Sequence, residues 1–171
     1  QSIAIGYVNH AAGYGSVCIG NENTTTGSSS VAIGGQLTVE GRGAVALGES
    51  NFAEDSYAIA LGFNARATTL AAIAIGYDVT ASGTHSIALG SRVSTSGFTG
   101  SLTIGDRSST TVMQTFVANG FRSRFAGGYR LFTNSDATIG AFLNANANSW
   151  AALSDVRLKE NFLPVDGEAV L

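Results

Sequence analysis

The sequence predicts an all-β fold: a parallel β-roll of 14-residue coils over residues 1–105, followed by a small antiparallel β tip over residues 106–150. Three observations predict it. A pentapeptide recurs eight times, with its final glycines at 6, 20, 34, 48, 62, 76, 90 and 105, which gives six intervals of 14 residues and a last one of 15. A fixed short period of this kind is the mark of a solenoid. Within each copy large residues alternate with small ones, the period-two signature of a strand rather than a helix. Beyond Gly105 the period is lost and the bulky aromatics become denser, with Phe116, Phe121, Phe125, Tyr129, Phe132, Phe142 and Trp150.

The long strand of each coil comes first. One of its faces carries Ile3/Ile5, Val17/Ile19, Val31/Ile33, Val45/Leu47, Ile59/Leu61, Ile73/Ile75, Ile87/Leu89 and Leu102/Ile104. The other carries Ala4, Cys18, Ala32, Ala46, Ala60, Ala74, Ala88 and Thr103. The large face is expected inside the roll and the small face between rolls. Seven residues after each motif glycine comes a second turn position, Gly13, Gly27, Gly41, Asp55, Thr69, Gly83 and Gly97, mostly residues that tolerate positive φ. The two turns leave room for a second strand of about four or five residues. Its inward pairs are Asn9/Ala11, Asn23/Thr25, Leu37/Val39, Asn51/Ala53, Ala65/Ala67, Val79/Ala81 and Val93/Thr95. Parallel stacking at about 4.8 Å makes a rod segment roughly 34 Å long.

Such a roll is thin. Each coil buries about four modest side chains, at roughly 1.5 to 3 kcal/mol each, against the ordering of a whole coil. Further burial between chains is therefore needed, and a homotrimer packed through the Ala/Ser column is the expected partner arrangement.

In the tip, strands are expected near residues 111–117, 121–125, 129–133 and 138–143. The connectors Asn119-Gly120, Gly127-Gly128 and Asn134-Ser135-Asp136 are hairpin turn signals. About 45 residues are too few to fold readily alone, which again favours three interlocked copies. Residues 151–171 read as a linker and the start of a further C-terminal module.

Composition limits the function classes. Charged residues are 12% of the chain, against about 25% in ordinary globular domains. Apolar residues at 44% exclude disorder, and a single proline excludes collagen. The longest apolar run, residues 70–75, is far below the roughly 18 residues of a spanning helix, so no membrane insertion is expected. A net charge of -3 with scattered basic residues leaves no nucleic-acid footprint. Gln1 is not an initiator methionine and no leader-like segment follows it, so the sequence reads as an internal piece of a longer chain.

The Ser-Val-Ala-Ile-Gly motif at 14-residue spacing resembles the head repeats of trimeric autotransporter adhesins. The resemblance implies left-handed parallel β-rolls in a trimer, displayed extracellularly or at a cell surface. The run Ser154-Asp155-Val156-Arg157-Leu158-Lys159-Glu160-Asn161 resembles the opening of the intramolecular chaperone of the endosialidase family, found in phage tail spikes, fibres and bacterial surface proteins. That resemblance implies chaperone-assisted trimer assembly and one self-cleavage at Leu153-Ser154, with Ser154 as nucleophile and Lys159 as its base. A lysine works as a base only where burial or a neighbouring cation lowers its pKa, so the dyad is expected to be inactive without the complete module. A phage virion tail is the alternative location.

No other catalytic pattern is present. Cys18 stands in an alanine slot and reads as a packed small residue. His10 and His85 have no partner at ligand spacing, and acidic residues do not recur at the position of Asp55, so no metal site and no cofactor are expected. Tyr129, Phe132 and Trp150 are the candidate ligand-binding residues, because amphipathic rings suit sugar faces as well as a trimer core. The expected function is a non-enzymatic trimeric fibre whose tip recognises a cell-surface glycan or other surface receptor. A segment of a glycan-degrading tailspike and a pure spacer are the other readings. The roll itself is expected to present a near-uniform Ser, Thr and Asn surface without a concave aromatic pocket.

Overall fold

Alternation dictates a strand for every motif copy, and the computed structural model, which describes residues 1–153, has one at each. Ile3–Tyr7, Val17–Asn21, Val31–Gly35, Val45–Glu49, Ile59–Phe63, Ile73–Tyr77, Ile87–Ser91 and Leu102–Gly105 lie parallel, each on its sequence neighbour. The register is strict: Ala32 pairs with Ala46, Ala46 with Ala60, Ala60 with Ala74 and Ala74 with Ala88. A second parallel sheet runs through His10–Ala11, Thr24–Thr25, Thr38–Val39, Phe52–Ala53, Arg66–Ala67, Thr80–Ala81, Val93–Ser94 and Met113–Gln114. These strands have two residues rather than the four or five expected, because each coil spends the remainder on two turns. Among the described residues there is no helix.

The turns are built differently from expectation. Left-handed residues occur two positions after the motif glycine, as at Gln36, Asn64 and Asp78, and two positions before the next long strand, as at Ser29, Tyr57 and Ala71. Of the seven positions expected to adopt positive φ, Gly97 alone does. Glycine at 13, 27, 41 and 83 answers a different need: a Cβ there would fall on a backbone carbonyl of the following coil. The motif glycines meet both demands, since Gly62 has φ +118° and its Cβ would fall on the carbonyl of Gly76.

The faces of the long strand are reversed from expectation. Cys18, Ala32, Ala46, Ala60, Ala74, Ala88 and Thr103 are fully buried inside the roll, whereas Ile33, Leu47 and Ile75 are 42%, 37% and 37% exposed. The reason is steric. Sheets that pack through large side chains stand about 10 Å apart, and a coil that reverses within a few residues cannot hold them so far from each other. Small residues must line the inside of the long strand, which leaves the Val/Ile columns outside. The inward pairs of the short strands are as the alternation predicts, from Asn23/Thr25 through Leu37/Val39 to Val93/Thr95, all buried.

Buried polar groups are bonded along the stack. The Asn23 side chain donates to the carbonyls of Ile19 (3.1 Å) and Gly34 (2.9 Å) and accepts from the Leu37 amide (3.0 Å). Asn51 repeats the pattern with Leu47, Gly62 and Ala65 at 2.7, 2.8 and 2.8 Å. Cys18, buried and free of disulfide, lies 3.2 Å from the Thr25 hydroxyl. Thr103, at the same register, bonds the Thr115 hydroxyl.

Parallel stacking continues past Gly105. Phe121–Arg124 lies parallel on Leu102–Gly105 and Met113–Gln114 on Val93–Ser94, where antiparallel pairing was expected. Arg122 and Arg124 take the inward registers of Thr103 and Gly105. Arg124 donates to the Thr111 carbonyl at 3.0 Å and pairs with Asp106 at 3.4 Å, while Arg122 bonds the Gln114 carbonyl. Charged side chains at inward positions end the apolar interior and discourage edge pairing.

The chain divides into a unit Gln1–Arg124 and a unit beginning at Phe125. The second is an antiparallel sheet of Gly128–Phe132, Gly140–Asn144 and Ala151–Leu153. Its hairpin loop is held by Asn134, whose side-chain oxygen accepts from the amides of Thr138 (3.1 Å) and Ile139 (2.9 Å), as the turn signal predicts.

Candidate recognition surfaces

Three surfaces carry chemistry that the folds of the two units do not consume. The first is the outward face of the long-strand sheet. Strict register turns eight Val/Ile/Leu pairs into two continuous aliphatic columns, and the chain itself leaves them partly exposed, most of all at Ile3, Ile5, Ile33, Leu47 and Ile75. A contiguous apolar face of this kind on a folded chain marks an interface.

The second lies in the terminal sheet. Tyr129 packs edge-on against Phe125, with centroids 5.5 Å apart and planes at 86°, and against Trp150 at 6.2 Å and 52°. Trp150 is 54% exposed and Tyr129 half-buried, so the indole forms the outer part of the cluster. Phe132 is three residues from Tyr129 in the same strand, hence on the opposite face. Of the three candidate ligand residues, the fold brings Tyr129 and Trp150 together and leaves Phe132 apart. Phe125 joins them; its spacing from Tyr129 carries no signal, because it precedes the strand. On the other face, Arg130 stands over the Phe142 ring at 5.6 Å.

The third surface is a ladder on the roll. Phe63 and Tyr77 stack with centroids 5.4 Å apart and planes at 12°, and the Arg92 guanidinium caps Tyr77 at 5.2 Å. The expectation of a uniform polar roll is therefore incorrect. The signal was present as a 14-residue spacing between two aromatic residues, which strict register converts into contact.

Ser154 and Lys159 lie outside the described residues. Among the described residues no group of three or more His, Cys, Asp or Glu could hold a metal ion. Asp55 instead accepts from the following amide, Ser56, at 2.6 Å, a local turn bond.

Residues 1–23, 11–36, 40–65 and 70–92 match the family model of the YadA head domain repeat. No curated protein matches the chain. The coils over those residues are thus similar to head repeats of the YadA type.

Proposed function

We propose that this chain is a segment of a homotrimeric, non-enzymatic adhesin fibre displayed at a cell surface, with a tip that recognises glycan. The uncovered Val/Ile columns carry the trimer reading. Each coil leaves two aliphatic side chains partly in water, and burying such surface is worth about 25 cal/mol per Å². The likeness of the coils to YadA-type head repeats supports three copies rather than two. The columns, not the Ala/Ser face, are the contact between rolls, because the Ala/Ser face is already used inside each roll.

For recognition, Trp150 supported by Tyr129 and Phe125 offers an exposed ring held by its neighbours, suited to the C–H face of a sugar. Assembly is assigned to the module that the resemblance places from Ser154 onward, with Ser154 and Lys159 acting once, when that module is complete.

Light scattering is expected to give three times the 17.4 kDa chain; a folded monomer at micromolar concentration refutes the trimer. On a glycan array the trimer is expected to bind, and Trp150→Ala to lose that binding with the trimer intact. A trimer that binds nothing is a spacer. Sugar release from polysaccharide would instead indicate a tailspike enzyme.

A further inference from the structure

We propose a second carbohydrate site, on the roll itself: the groove at Gly35 binds a neutral pyranose against the ring of Phe63. It is independent of the tip cluster. One position beyond each motif glycine, the long strands carry Asn21, Gly35, Glu49, Phe63, Tyr77 and Ser91 in one column. Gly35 leaves a gap in that column. The gap is an open groove of about 520 Å³, walled by Phe63, Glu49, Gln36 and Asn21 over a floor of Gly35 and Gly48.

The fold does not require the glycine. Gly35 lacks a positive φ, and a Cβ there would meet nothing closer than the Asn21 carbonyl at 3.9 Å, an ordinary contact. The coils on either side carry a side chain at this register, so the missing one is a local feature of this groove.

The lining has the chemistry of a sugar subsite. Phe63 is the last ring of the ladder, and its far neighbours are anchored: Tyr77 stacks on it, Arg92 caps Tyr77, and Asp78 holds Arg92 at 3.9 Å while accepting from the Asn64 amide at 2.7 Å. A ring supported in this way presents an apolar surface at little ordering cost. Around it stand a carboxylate, Glu49, and two amides, Gln36 and Asn21, which can accept from and donate to paired hydroxyls. No cation lines the groove, and Gln36 bonds the carboxylate of Glu22 at 3.3 Å. The local charge is negative, which selects a neutral sugar over a sialic or uronic acid.

The test uses saturation-transfer NMR and calorimetry on the whole chain with cellobiose, lactose, N,N′-diacetylchitobiose and 3′-sialyllactose. At least one neutral disaccharide is expected to bind with Kd in about the millimolar range, and sialyllactose at least about tenfold more weakly. Gly35→Leu, which fills the groove without strain, is expected to abolish this binding while keeping the trimer mass and melting temperature. Phe63→Ala is expected to weaken it at least about tenfold. All of these measurements are made in a Trp150→Ala background, where the proposed tip cluster no longer contributes, so that the binding read belongs to the groove. The proposal is overturned by no binding of any neutral disaccharide, by undiminished binding in Gly35→Leu, or by dissociation of the Gly35→Leu trimer, which would make the column a contact between copies.

Discussion

Ala60 shows how much one side chain decides in a roll this thin. It is fully buried between two sheets, stacked on Ala46 and Ala74, so Ala60→Leu must push the sheets apart. Urea unfolding is expected to show a loss of at least about 1 to 3 kcal/mol. Thr80→Leu on the outward side of a short strand is expected to stay within about 0.5 kcal/mol. Asn51 makes the complementary case. Asn51→Ala would strand the carbonyls of Leu47 and Gly62 and the Ala65 amide, at a cost of about 3 kcal/mol by the usual penalty for buried unpaired groups. Asn9→Ala, in the exposed first coil, should cost less than about 1 kcal/mol because water can replace the side chain. Equal losses at Asn51 and Asn9 in chemical denaturation would show that these bonds do not support the interior.

At the scale of the element, the coil is set by glycine stereochemistry as much as by strand alternation. Gly62→Ala combines a backbone at φ +118° with a Cβ placed on the Gly76 carbonyl. It should cost more than about 3 kcal/mol and expose the neighbouring coils to hydrogen exchange. Gly127→Ala is the contrast: no atom lies within 4 Å of its Cβ position and its φ is not positive. That change should stabilise by about 0.4 to 1 kcal/mol through the unfolded chain. Comparing the two melting temperatures tests whether glycine acts by geometry or merely by flexibility. The long strands were legible because each repeats the same five-residue pattern. The short strands were legible in their inward residues but not in their length, since the number of residues lost to each turn depends on φ values that the side chains at Tyr57 or Ala71 do not announce.

For the whole molecule, what matters is which face the roll leaves uncovered. Ile73 lies mid-stack on the aliphatic columns, paired with Ile59 and Ile87. Ile73→Asp puts a charge into the proposed contact between copies, where desolvation is not repaid. Light scattering is expected to show the mass falling to that of one chain. An intact trimer carrying this substitution would remove the aliphatic columns from the interface.

By itself the sequence determined the period, the parallel stacking, the inward residues of the short strands and the hairpin at Asn134, because each rests on local alternation or on the chemistry of one turn. Three things were decided only by tertiary structure. The two faces of the long strand look equally plausible as interior until the width between the sheets is known, and that width excludes Val and Ile. The stacking of Phe121–Arg124 on Leu102–Gly105 breaks the 14-residue spacing, so no repeat count could reach it. The meeting of Tyr129 with Trp150 and the separation of Phe132 follow from which strands pair and which way each residue points. Local pattern fixes a residue's side of its strand, but only packing decides what stands on that side.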